Sequence, residues 1–432
     1  MTTRKQLSTK NVEKGKAPGL LHKFFANLGP GLVTGAADDD PSSIATYSVV
    51  GATYGYTPLW TALVTFPMMA TVQLMCARLG MVTGRGLAAA VRIYHPRWVL
   101  WGSCSILVVA NVINIGADLG GMAEATQLIT GIRSLIWIPV YAFFIFGVLL
   151  GGSYKLIAKI FKWLTLALFA YVVASFYAHV DWSHALAVTF VPHLEWSRGF
   201  LAVLVGILGA TISPCLFFWQ AAGEVEEERG KGRALSQRKG ATAGELRFAR
   251  TDTITGMFFS NLIMYFIILT TAATLHPHGQ TEITTTRQAA EALRPLAGNG
   301  AYLLFTLGLI GTGMLGVPVL VGSCAYAVTE AAAWRGSMAD KPKSGRRFYS
   351  VMAVAMALGL ALNYLGFNAV KMLFLSAVIN GLLAPPLILL VILLTSNPKV
   401  MGKRVNPPLL RYLGWATFGI MIAAAVGMII TS

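Results

Sequence analysis

The sequence predicts an all-α polytopic membrane protein of eleven transmembrane helices, and three observations predict it. Of 432 residues 55% are hydrophobic and only 12% charged, about half the ~25% of a soluble domain. Apolar runs near the ~20 residues that a helix needs to cross a bilayer recur along the chain. The 34 Lys and Arg against 18 Asp and Glu give a net charge of +16, and they fall between the apolar runs rather than on one polar module. Such hydrophobicity excludes disorder. Four scattered cysteines, Cys76, Cys104, Cys215 and Cys324, exclude a disulfide scaffold.

The first segment, 1–27, is polar and basic (Arg4, Lys5, Lys10, Lys14, Lys16, Lys23) and lacks the apolar core of a cleavable signal. Insertion is therefore expected to begin with span 1 itself. The spans are expected near 28–52, 58–76, 100–130, 135–151, 157–178, 199–222, 252–275, 299–330, 349–364, 370–395 and 410–430. Several exceed one crossing, which predicts tilt or interruption rather than extra spans. The amino end and alternate loops hold 29 basic residues, Lys155, Lys159 and Lys162 among them; the other loops hold Arg133, Arg198, Arg287, Arg294 and Lys371. By the positive-inside rule the amino terminus is cytoplasmic and the carboxy terminus external. The charge surplus is thus an orientation signal, and no nucleic-acid partner is expected.

Spans 1 and 6, five apart and so of opposite topology, are both interrupted. Span 1 carries Gly29-Pro30-Gly31, then Asp38-Asp39-Asp40-Pro41-Ser42-Ser43; span 6 carries Gly209-Ala210-Thr211-Ile212-Ser213-Pro214-Cys215. Proline removes a donor and clashes with the preceding turn, and Asp and Ser stabilise non-helical backbone beside it. Matched broken helices in two halves point to a substrate site at the bilayer midplane.

Even the lowest insertion scales charge about 2.5–3.5 kcal/mol for one Asp at a helix centre. Three in a row must line a cavity, bind a cation or share protons. Asp40, beside Pro41, is the leading ligand candidate. Asp38 and Asp39 face a vestibule or bond to neighbouring helices. Asp118 and Glu124 in span 3 are expected to face the bundle interior, either bonded to Asn111, Asn114 or other polar groups or as part of a proton or ion path. Glu224, Glu226, Glu227 and Glu228 are read as a solvated extension of span 6. In span 10, Ser376, Asn380 and Gly381 either face the site or pack against helices. No histidine falls in mid-span, no CxxC occurs, and neither a Walker loop nor a nucleophile elbow is present. Neither an enzyme nor a cofactor is expected.

At the two breaks the chain resembles the natural resistance-associated macrophage protein (Nramp) family of divalent metal transporters, over roughly residues 28–430. The resemblance rests on Gly29-Pro30-Gly31, Asp40-Pro41, Arg78-Leu79-Gly80 with Thr83-Gly84, Ala117-Asp118-Leu119 and Ala210-Thr211-x-x-Pro214. It implies a LeuT-like fold of inverted five-helix repeats (28–178 and 199–395, separated by an external loop 179–198) with span 11 in 396–432. It also implies alternating access in a bacterial inner membrane, with the lipid bilayer and a transported divalent cation as partners. Carried over by position, the metal-binding Asp is Asp40 and the family's Asn falls on Ser43. The carbonyl ligand falls on Ala210, the methionine ligand on Ser213, the proton-linked histidine on Cys215, and the acid after the span 3 Asp on Gly121. The frame is kept and much of the chemistry is changed, as in an Nramp-related branch. Hydroxyl, carboxylate and carbonyl oxygens suit Mg²⁺ or Mn²⁺ better than softer metals, so a hard cation is favoured over Fe²⁺.

A second reading uses the breaks in the opposite sense. Free N–H groups and hydroxyls near Ser42 and Ser43, with Thr211, Ser213 and Cys215, would suit an organic carboxylate such as citrate, proton-coupled or as a metal chelate. A channel or sensor is a third and weaker class, since no separate sensory domain is present.

Overall fold

The computed structural model describes residues 29–151, 168–230, 232, 240–366 and 368–431. Every regular element among them is helical. The principal helices are α1 (Pro30–Asp38), α2 (Pro41–Tyr54), α3 (Thr61–Thr83), α4 (Leu87–Tyr94), α5 (Arg97–Thr130), α6 (Ser134–Gly151), α7 (Phe169–Tyr177) and α8 (Trp182–Phe190). They continue with α9 (Arg198–Thr211), α10 (Pro214–Gly230), α11 (Ala243–Thr274), α12 (Thr286–Glu291), α13 (Ala301–Ala331), α14 (Arg346–Leu362), α15 (Ala369–Ser396) and α16 (Pro408–Ile430).

Nine of the described stretches are long and apolar enough to cross a membrane. Two expected spans are not among them. Span 1 is divided into α1 and α2, and only the end of span 5, α7, is described. Lys155, Lys159, Lys162 and segment 1–27 lie outside the described residues.

Helix ends depart from the hydropathy boundaries where capping chemistry takes over. Span 7 starts at Ala243 rather than 252 because Thr242 and Glu245 form a capping box: the Thr242 N–H donates to Glu245 Oε2 (2.7 Å) and the Glu245 N–H to Thr242 Oγ1 (3.3 Å). Span 2 runs on to Thr83, where Gly84 turns left-handed (φ 64°) and donates to the Gly80 carbonyl (2.8 Å). α5 is unbroken for 34 residues. Its Gly116 and Gly121 serve close packing on Gly359 and Leu373 rather than interruption.

Burial sorts the helices into a centre and a periphery. The apolar window of α9–α10 is 89% buried and that of α13 83%, against 28% for α6 and α16. Phe143 and Ile430 on the outer helices point outward, three-quarters exposed, which hydrocarbon tolerates. Between membrane helices, close approach through small residues replaces hydrophobic driving force. α1 therefore crosses α11 at Gly31, Gly35 and Gly256, where a Cβ would collide with the facing backbone. α9 meets α15 in the same way at Gly209 and Gly381, so Gly381 packs rather than faces the site. Both broken half-helices are thus clamped backbone to backbone.

Candidate functional site

The break in span 1 is built by its own side chains. Asp39 leaves helical geometry (φ −83°, ψ 52°) and Asp40 turns extended (φ −71°, ψ 171°) to become the N-cap of α2. Its Oδ1 accepts the Ser43 N–H (2.8 Å) and the Ser42 hydroxyl (2.7 Å). Both bonds go to Oδ1, so Oδ2 is the oxygen left to meet a ligand. The Ser42 N–H donates to Asp118 Oδ1 (3.1 Å), and the Ser43 hydroxyl crosses the break to the Asp38 carbonyl (2.8 Å). Pro41 has no N–H to give the Ala37 carbonyl, which loses its helical donor.

The three adjacent aspartates divide between two neighbours. Asp40 joins Asp118 at the start of α2. Asp38 Oδ2 (2.7 Å) and Asp39 Oδ1 (3.2 Å) turn to the Ser260 hydroxyl on α11. All four carboxyls are buried, and none makes an ion pair with a described residue. Charges so placed must be balanced by a cation or by protons.

The break in span 6 repeats the backbone device without the charge. α9 ends at Thr211, Ile212 leaves helical geometry, and Pro214 opens α10. Pro214 deprives the Ala210 carbonyl as Pro41 deprives that of Ala37. Ser213 Oγ and Cys215 Sγ lie 3.2 Å apart, and the Ser323 hydroxyl on α13 donates to the Cys215 carbonyl (2.9 Å). The Thr211 hydroxyl turns back to the Ile207 carbonyl (2.9 Å) and so points along its own helix. α9 packs on α2 and α10 on α1, so the two broken spans lie side by side.

One expectation needs correction, and two acquire named partners. Asp118 bonds to another polar group than Asn111 or Asn114, the amide at the start of α2; the Asn111 amide donates instead to the Leu320 carbonyl (2.9 Å). Glu124 lies six residues farther along α5, about 9 Å at 1.5 Å per residue, and accepts the Thr286 hydroxyl of α12 (2.6 Å). It stands apart from the breaks. The acidic run of span 6 is helical to Gly230 but is not a solvated extension: Glu224 and Glu228 are buried. Glu224 accepts from Gln220 (2.9 Å), which takes the Thr34 hydroxyl of α1 (2.5 Å), and Glu226 accepts from Tyr326 (3.2 Å). These acids knit α10 to α1 and α13.

Two participants went unread in the sequence. Asp252 of α11 accepts the Gly29 N–H (3.2 Å) and the Gly31 N–H (2.7 Å), capping α1 from another helix. A signal existed, since Gly29 supplies no capping side chain of its own. Gly316 of α13 faces Asp40 and carried no signal among the many glycines of its span. A cavity of ≈ 270 Å³ beside Pro30, Glu224, Glu227, Glu245 and Asp252 sits at the start of α1, about a 13 Å helix length from the break. Among the described residues no three His, Cys, Asp or Glu side chains form a ready metal cage. Any cation at the breaks would rely on carbonyl, hydroxyl or water oxygens beside the carboxylates.

Paired broken helices with donor-less carbonyls inside a helical bundle are the arrangement of a LeuT-like fold. The profile of the Nramp family, natural resistance-associated macrophage protein-like, matches residues 31–431, and the chain belongs to that family. The divalent metal cation transporter MntH of Klebsiella pneumoniae subsp. pneumoniae is 28% identical over 433 residues, covering 99% of both chains. MntH of Yersinia pestis is 28% identical over 94% of this chain. Among solved structures, the manganese transporter of Eremococcus coleocola superposes with a TM-score of 0.72 at 18% identity, over 97% of this chain and 88% of the other. Mhp1, a nucleobase-cation-symport-1 family transporter, gives 0.59 at 14% identity over 94% and 93%. At such identities these structures speak for the fold alone.

Proposed function

We propose that the protein is a secondary-active transporter of divalent metal cations, with hard ions such as Mg²⁺ or Mn²⁺ preferred over Fe²⁺. It works by alternating access at a midplane site between the two breaks. Asp40 supplies the carboxylate, Ser43 and Ser213 hydroxyl oxygens, and Ala210 a carbonyl freed by Pro214. The amino terminus is cytoplasmic and the carboxy terminus external, as the loop charges direct. The observation that carries the reading is Asp40: a buried carboxylate at a helix break, held by one oxygen and open at the other. Relatives named divalent metal cation transporters over the full chain length support it. The oxygen-rich donor set, without a methionine at 213 or a histidine at 215, supports the hard-ion preference.

The carboxylate reading loses its donors. The two amides at the start of α2 that an organic anion would need, those of Ser42 and Ser43, already donate to Asp118 and Asp40. A substrate anion would have to displace two carboxylates and then sit among four.

The test is Mn²⁺ influx into proteoliposomes, with Mg²⁺ as competitor. Saturable influx that Mg²⁺ suppresses and Asp40→Asn abolishes is expected. Asn caps a helix about as well as Asp, so the variant should fold. Folded wild-type protein without influx, or full influx in the variant, would overturn the assignment.

A further inference from the structure

Two glycines one turn apart on α13 pack against the broken span, and their surroundings differ in kind. A Cβ at Gly313 would strike the Met122 side chain and lie 3.1 Å from Pro41 Cγ, an apolar close contact. A Cβ at Gly316 would lie 3.0 Å from Asp40 Cβ, 3.8 Å from the Ala37 carbonyl oxygen and 3.9 Å from Asp118 Oδ2. The space that Gly316 leaves is therefore bordered by the Asp40 methylene and by two oxygens, those of the Ala37 carbonyl and the Asp118 carboxyl. The Ala37 carbonyl lacks its helical donor because of Pro41. Asp118 Oδ2 is fully buried and has no hydrogen-bond partner among the described residues. An orphaned buried carboxylate oxygen is costly, and native structures hold few of them.

We propose that Asp118 is a second carboxylate of the cation site and that Gly316 keeps the room the ion needs. The inference deepens the divalent-cation reading and rests on it. Asp118 repeats the bonding of Asp40: in each, Oδ1 holds an amide at the start of α2 and Oδ2 is left over, and the Oδ2 of Asp118 borders the space at Gly316. Two carboxylates neutralise a divalent ion, which removes a net charge from the bundle interior. A hard ion that sheds water reluctantly needs more volume than its bare radius, and a methyl group at position 316 would take that volume. Asp38 and Asp39, turned to Ser260, lie outside this pair.

Equilibrium Mn²⁺ binding to the purified full chain, with Mg²⁺ in competition, tests the assignment against Asp118→Asn, Gly316→Ala, Asp40→Asn and Asp39→Asn. Asp118→Asn keeps an acceptor for the Ser42 amide and should weaken Mn²⁺ binding roughly tenfold or more, since ligand charge sets affinity. Asp39→Asn should change it far less. Gly316→Ala should weaken Mg²⁺, the more firmly hydrated ion, more than Mn²⁺. Wild-type affinity in Asp118→Asn with binding lost in Asp40→Asn would overturn the second carboxylate and leave the transport reading standing. Equal losses in Asp118→Asn and Asp39→Asn would also overturn it, since total charge alone would then explain both. An unchanged Mn²⁺ to Mg²⁺ ratio in Gly316→Ala would remove the role of Gly316, and that readout holds even if Asp118→Asn does not fold. No binding by folded wild-type protein would sink both proposals.

Discussion

The breaks in spans 1 and 6 share one backbone device and carry opposite chemistry. In each, a proline strips a carbonyl of its donor, at Ala37 and at Ala210. In span 1 the following half-helix is capped by Asp40 and leans on Asp118, whereas span 6 presents only Ser213, Cys215 and a back-turned Thr211. The contrast shows where specificity can reside. A carbonyl is offered by either break, so it sets geometry. Charge enters on the span 1 side, from Asp40 and from Asp118 of α5 beside it, so affinity for a cation should depend on that side, and span 6 should tune which cation is preferred.

The largest expected effect lies with Asp40→Asn, because it removes the charge itself. Next come the prolines. Pro41→Ala and Pro214→Ala restore an N–H that can rejoin the helix, and each should lower Mn²⁺ uptake roughly tenfold by tying up one carbonyl, about one charge-dipole contact's worth. If Pro214→Ala transports as wild type, the two breaks are not equivalent and the Ala210 carbonyl is no ligand. Ser213→Met should change rank order rather than rate: a thioether favours softer ions, so competition by Cd²⁺ against Mn²⁺ should strengthen. An unchanged ranking would show that residue 213 does not touch the ion. Thr211→Val should be the smallest. Its hydroxyl bonds to the Ile207 carbonyl, so uptake should stay within about twofold and stability within about 1 kcal/mol. A severe loss would mean that Thr211 turns to the substrate in another state of the cycle.

Sequence reasoning did best where a signal is local. The breaks are written in Pro41 and Pro214 themselves, and the spans in continuous apolar runs, so both breaks and nine apolar spans are found among the described residues, with ends moved where capping takes over. It did worse with side chains whose partners are distant in the chain. Glu224 reads as surface because its run is acidic, yet Gln220 and Thr34 bury it. Pro41 sets Asp40 apart from Asp38 and Asp39 on paper, but only the structure supplies the partner of the first two, Ser260.

By itself the sequence determined that this chain is built of apolar helices long enough to cross a membrane, and where two of them must break. Those properties follow from transfer free energy and from a missing N–H, which act within a few residues. Only the tertiary structure decided that Asp118, 78 positions from Asp40, shares the start of α2 with it, that Glu124 does not, and that a glycine of α13 stands over both. Such meetings depend on helices clamped at Gly35, Gly256, Gly209 and Gly381, and the approach of two backbones is a property of the pair that neither segment encodes alone.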